Sequence, residues 1–283
     1  MDKTLIQIAI AYDFDGTLAP GNMQEHSFIP KLGIDRTTFW ENANAMAKEH
    51  DMDEILAYMQ LMLKEAKARN IPITKEAFAQ YGKEISFFKG VKSFFNRINT
   101  FAREKNVNIN HHIISSGLRD IIQGTVISKH FKNIFASGFV YNKKNEAVWP
   151  ALAINYTNKT QYLFRINKGI NNSYDNSVIN KFIEMEERPV PFSRMIYIGD
   201  GETDVPAMKM IKYQQGTAIA VYDSDKEVNS RGASPKAVCE QLIRQSRADF
   251  IAPADYSQNS ILDKILKTLI NKIVAEENLR KLK

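Results

Sequence analysis

Along the chain, short apolar runs alternate with longer segments of helical periodicity. Leu5 to Tyr12, His112 to Ile114, Met195 to Ile198, Thr217 to Val221 and Phe250 to Ala252 are strand-sized, and each runs out into polar or glycine-rich residues. Strands separated by helix-length segments predict an α/β fold: a central parallel sheet covered by helices on both faces.

Two stretches break that alternation. From about Gly21 to Ile85 no strand pattern occurs. Asp35 can cap a helix carrying Phe39, Trp40, Ala43 and Met46. Asp51 with Glu54 forms a capping-box pattern before Ile55, Leu56, Met59 and Met62, and Thr74 opens a third helix through Phe78 and Tyr81. This predicts a small helical unit, residues 20–85, inserted into a core made of residues 1–19 and 86–283. The second stretch, between Phe135 and Tyr162, holds "FVYNKKNEAVW", whose alternation around Asn142 to Asn145 reads as a hairpin. "SYDNS" near Ser173 reads as loop or helix cap.

Composition narrows the class without naming an activity. The 283 residues are enough for a large core, and 44% hydrophobic with 25% charged residues is ordinary globular usage. A single cysteine, Cys239, permits no internal disulfide. The first apolar run ends in acids and lacks a small-residue cleavage site, so it reads as a strand and not a leader. No run of about 18 apolar residues suggests a membrane span. These features favour a cytoplasmic setting. The net charge of +6 is spread along the chain, and its one basic cluster, Arg280 to Lys283, is terminal. Nucleic acid, which calls for a concentrated basic stripe, is not expected as a partner.

Candidate chemistry gathers where apolar runs end. In "AYDFDGTLAP" a strand delivers Asp13 and Asp15, and in an open parallel sheet ligands lie beyond such strand ends. A bound cation would offset the repulsion of the two carboxylates, although a turn with a helix cap fits the same residues. "MIYIGDGETDVP" repeats the design with Asp200 and Asp204, and such hard oxygen donors suit Mg²⁺. "HHIISSG" brings Ser115, Ser116 and Gly117 to a strand-to-helix junction, either a phosphate cradle or an ordinary helix start. His111 and His112, with no partner at metal-binding spacing, read as structural.

In this order, "DFDGTL", "IISSG", "NKG" and "IGDGETD" resemble the motifs of the haloacid dehalogenase-like hydrolase superfamily, and the helical insert resembles the C1 cap of its phosphoserine phosphatase-like branch. The resemblance implies a Rossmann-like three-layer core with Asp13 as nucleophile and Asp15 as general acid and base. It implies Ser115 and Lys168 as phosphate-binding groups, with Mg²⁺ held by Asp13, the Asp15 carbonyl, Asp200 and, through water, Asp204. Glu25 and His26 in the insert, and Arg119 after Gly117, are candidates to contact the leaving group. An aspartate at position 15, which a halide-expelling enzyme does not need, favours a phosphomonoesterase of a small phosphorylated metabolite. A phosphotransferase such as a phosphomutase stays open, as does a non-catalytic regulatory module.

Overall fold

The computed structural model describes residues 5–228 and 232–282, so Met1 to Thr4 and Lys283 of the basic tail lie outside the described residues. Among the described residues, seven strands form one sheet in the order β4-β3-β2-β1-β5-β6-β7. They are β1 (Ile6–Tyr12), β2 (Val107–Leu118), β3 (Phe131–Tyr141), β4 (Ala147–Leu152), β5 (Met195–Gly199), β6 (Thr217–Tyr222) and β7 (Phe250–Pro253). All neighbours run parallel except β3 and β4, the hairpin whose turn lies at Asn142 to Asn145.

Strand β1 shows why the sheet sits at the centre of a three-layer molecule. Successive side chains point to opposite faces. Ile8, Ile10 and Tyr12 join one apolar core with α5 (Val91–Arg103) and α10 (Ile261–Arg280). Ala9 and Ala11 join another with α7 (Lys159–Lys168), α8 (Val205–Tyr213) and α9 (Pro235–Arg244). A continuous apolar run is the signature of a strand covered on both faces. No described helix is long and apolar enough to cross a membrane.

Between β1 and β2 come α1 (Phe28–Leu32), α2 (Arg36–His50), α3 (Glu54–Ala68) and α4 (Lys75–Lys83), ahead of α5. Asp35 caps α2 by accepting from the N–H groups of Thr37 and Thr38. The capping residue of α3 is Asp53 rather than Asp51, because Asp51 has left-handed backbone (φ 48°) and closes α2 instead. Thr74 caps α4 through the Ala77 N–H.

The inserted helices are tied to the sheet at several points. The Tyr58 hydroxyl donates to the Ser116 carbonyl at 2.7 Å, the Ala147 N–H donates to the Ile73 carbonyl at 2.9 Å, and Asn155 reaches the Asp53 carboxylate at 2.7 Å. Helix α4 meets α6 (Arg119–Gly124) at two glycines. A methyl group on Gly82 would collide with the Ile121 carbonyl, and one on Gly124 with the backbone of Ala79. Backbone on backbone is possible there only because neither residue has a Cβ.

Candidate active site

Strand order reverses around β1, which has β2 on one side and β5 on the other, so the tips of these three strands frame the crevice where open α/β sheets bind ligands. The Asp13 N–H still pairs with the Ile198 carbonyl, and the residue is 5% exposed. The chain then turns at Gly16, in the left-handed region at φ 72°. Any Cβ at Gly16 would run into the Asp200 carboxylate. The "DGT" turn therefore needs glycine both for its backbone and to let the β1 and β5 tips meet. Gly199 plays the same spatial part for Asp204.

Asp13, Asp200 and Asp204 each offer a carboxylate oxygen within 4.8 Å of the others. Asp204 is fully buried and satisfied. It accepts from Lys159 at 2.7 Å, from the Tyr197 hydroxyl at 2.6 Å and from the Asp200 N–H at 3.1 Å. The Asp200 side chain has no hydrogen-bond partner among the described residues. Burial, with Asp204 and Asp13 beside it, pushes its pKa well above the usual carboxylate value. Asp13 is pushed up to about 6, by burial first and by Asp204, while Lys159 opposes the shift. Asp15 is also raised well above normal, by burial and then by Asp13, although the Met23 N–H donates to it at 2.8 Å.

Four carboxylates thus converge with one ammonium among them, and ionising them all leaves an excess of negative charge in a dry crevice. A hard divalent cation answers that excess, and oxygen donors with an otherwise unpartnered Asp200 fit Mg²⁺. Asp13 and Asp200 would be its side-chain ligands. Asp204, the third carboxylate within reach of the ion, also holds Lys159 and the Asp200 backbone in place.

The lysine of the site is Lys159, not Lys168. Lys159 is 1% exposed and its ammonium lies 2.8 Å from Asp13 and 2.7 Å from Asp204. Burial alone would lower its pKa, but the two carboxylates outweigh that and hold it above the ordinary value. Lys168 ends the same helix, about 13 Å further along at 1.5 Å per residue. There it donates to the Ile179 and Lys181 carbonyls, at 2.6 Å each. With the buried Arg165, which holds the Asn172, Ser173 and Asp175 carbonyls, it organises the loop after α7. The signal for Lys159 was its helical position: with Tyr162, Leu163 and Ile166 it falls on the buried stripe of α7.

At the β2 tip Ser115 is buried and accepts from the Gly117 N–H at 3.0 Å. Gly117 packs under Met23 and beside Asp15, leaving no room for a side chain. The Met23 sulfur accepts from the Leu118 N–H at 3.1 Å, a contact that no pattern in the sequence announced. Ser116 presents its carbonyl to Tyr58 and Ser137, and its buried hydroxyl has no partner among the described residues.

Three further candidates are placed otherwise than their sequence positions suggested. Glu25 gives one oxygen to Asn22 and the Trp40 indole, at 2.7 and 2.9 Å, and the other to Arg36 at 3.3 Å, so it braces the insert. His26 pairs with the Pro20 carbonyl at 2.9 Å. Arg119 lies against Gly138 and lines a groove with Lys75 and Lys132 that none of the four aspartates borders.

Comparison with known proteins agrees with this architecture. A protein of Borreliella burgdorferi described as uncharacterized is 26% identical over 293 aligned positions, covering 91% of this chain and 96% of its own length. Among solved structures, a haloacid dehalogenase-family hydrolase from Salmonella enterica serovar Typhi superposes with a TM-score of 0.58 at 14% identity, over 94% of this chain and 72% of that one. A substrate-bound phosphoserine phosphatase gives 0.55 at 15% identity, over 93% and 98%. At such identities these two structures speak for the fold. Residues 10–209 match the haloacid dehalogenase-like hydrolase family, from the second half of β1 through most of α8, and the chain belongs to that family.

Proposed function

We propose that the protein is a Mg²⁺-dependent phosphomonoesterase that works through a phosphorylated Asp13. The single observation that carries this reading is the Asp13–Lys159–Asp204 ion triad, at 2.8 and 2.7 Å, set at the tips of β1 and β5 beside an unpartnered Asp200. Structural neighbours that include a phosphoserine phosphatase support the reaction class.

Asp13 attacks phosphorus in line, opposite the ester oxygen, and becomes an acyl phosphate. Lys159 lies against the attacking carboxylate, where it can follow the negative charge onto the phosphoryl oxygens. The Ser115 hydroxyl and the nearby backbone N–H groups hold those oxygens from the β2 side. Asp15, whose pKa is raised by burial and by Asp13, gives its proton to the departing alcohol. As the base it then takes one from the water that hydrolyses the acyl phosphate. The Mg²⁺ contributes positive charge that lets two anions meet. The inserted helices serve as a cap over the reacting groups and keep bulk water out.

The test is phosphate release from p-nitrophenyl phosphate and acetyl phosphate with and without Mg²⁺, for the wild type and Asp13→Asn. Metal-dependent release that disappears in Asp13→Asn is expected, and equal rates for the two proteins would overturn the reading.

A further inference from the structure

In the phosphatase reading on which this inference rests, the leaving alcohol departs beside Asp15, and the residue that follows Met23, whose N–H binds Asp15, carries an acceptor left without a donor among the described residues. Gln24 is 2% exposed, and its side-chain carbonyl has no hydrogen-bond partner among the described residues. The residue before it, Met23, is clamped on both sides of the site, through its N–H to Asp15 and through its sulfur to the Leu118 N–H. The clamp fixes the backbone that carries Gln24 one residue from the group that binds Asp15. Its amide stands by the Tyr58 hydroxyl, as do Ser137 and Asp15. The Ser116 hydroxyl, in the strand tip that receives Tyr58, is likewise buried and unpartnered. Buried acceptors without donors are rare in folded proteins and call for a reason such as a ligand.

Charge limits what that ligand brings. The charges that act most strongly on Asp15 are those of Asp13, Asp200 and Glu25, and on Tyr58 those of Asp15 and Asp53, all acidic. Lys159 is committed to Asp13 and Asp204, on the phosphoryl side. Arg36 is 68% exposed and tied to Glu25. A second phosphate or a carboxylate on the leaving group would meet negative charge, with no uncommitted cation placed there among the described residues.

We infer that Gln24 reads the leaving group, and that the substrates are small phosphate esters whose alcohol carries a hydroxyl or amine donor and no second anionic group. The donor pairs with the Gln24 carbonyl in place of the water it loses on entry. An anionic substituent finds no such settlement and is rejected.

The experiment compares kcat/KM for glycerol 3-phosphate, phosphoethanolamine, phosphoserine and acetyl phosphate. In the wild type, glycerol 3-phosphate or phosphoethanolamine is expected to exceed phosphoserine, which adds a carboxylate, by tenfold or more. Parity or preference for phosphoserine would overturn the inference. Gln24→Met, close in shape but without the carbonyl, is expected to lower the ratio of the better donor substrate to acetyl phosphate at least tenfold. Gln24→Glu is expected to raise phosphoethanolamine relative to glycerol 3-phosphate. Ratios unchanged in both folded variants would overturn the inference, and the wild-type panel decides alone should neither variant fold. Acetyl phosphate separates the levels of argument. Its Asp13-dependent hydrolysis with flat selectivity sinks the role of Gln24 only, whereas no hydrolysis of any ester sinks the phosphatase reading as well.

Discussion

Lys159 places its ammonium 2.8 Å from the Asp13 carboxylate while remaining 1% exposed. Lysine is almost never buried so completely unless its charge is matched. Lys159→Met should reduce kcat about 100- to 1,000-fold, the usual effect of losing one donor to a developing oxyanion. It should also cost stability, because Asp13 and Asp204 are left facing each other. Lys168→Met should keep kcat/KM within about threefold, since Lys168 holds loop carbonyls. Steady-state kinetics on the two variants, checked for folding by circular dichroism, decides which lysine belongs to the reaction.

Crowded carboxylates make a prediction about stability. The raised pKa of Asp200 means that holding its charge at neutral pH works against the fold. Asp200→Asn should therefore raise the melting temperature in EDTA and blunt the gain seen when Mg²⁺ is added to the wild type. At 100 times Kd that gain is about 2.7 kcal/mol. Thermal melts of both proteins across a Mg²⁺ titration test this, and a wild type indifferent to Mg²⁺ would remove Asp200 from the metal site.

The two histidines on β2 predict acid sensitivity. His111 is lowered from 6.5 to about 3 by burial and by its histidine neighbours, and His112 to about 3 by burial and Lys132. His111 pairs with the Tyr12 hydroxyl and the Asn99 side chain at 2.9 Å each, an arrangement that suits the neutral ring. Between pH 6.5 and 3 the unfolded chain takes up protons that the folded chain refuses, so stability falls as pH drops through that window. The slope is about 1.4 kcal/mol per pH unit for each histidine. The raised site carboxylates act in the opposite direction. His112→Gln should flatten the difference between urea midpoints at pH 7 and pH 5, and an unchanged difference would count against a neutral, buried His112.

The glycine contact between α4 and α6 predicts an effect at a distance from the aspartates. Gly124→Ala forces a methyl group into the backbone of Ala79. Overpacking of this kind costs about 1–3 kcal/mol. Because α6 follows directly on the β2 tip, KM should rise more than kcat falls. Urea denaturation with kinetics on the same preparation measures both.

How much of this was legible in the residues depends on the range of the interaction involved. The strands announced themselves because an apolar run such as "IQIAIAY" has few other uses, and the acids at their tips stand next to them in the chain. The register that brings Gly16 against Asp200 is a tertiary fact, visible beforehand only as two glycine-containing turns. Lys159 and Lys168 both follow an asparagine, and choosing between them required knowing where α7 begins. Asp51 and Asp53 posed the same problem at α3, where a two-residue difference separates the end of one helix from the start of the next. Met23 on the Leu118 N–H belongs to a contact between the insert and β2, nearly a hundred residues apart, and no local pattern encodes it.

The meeting of α4 and α6 also decides what moors the insert to the core. On the α4 side the attachment is main chain against main chain at Gly82 and Gly124, reinforced where Ile73 pairs with Ala147. The exposed ion pairs Lys31 with Glu84 and Arg36 with Glu25 join one part of the insert to another and add little. Changing them would loosen the insert within itself and leave it moored, because the seam with α6 is specified by two missing side chains, which no surface charge can replace.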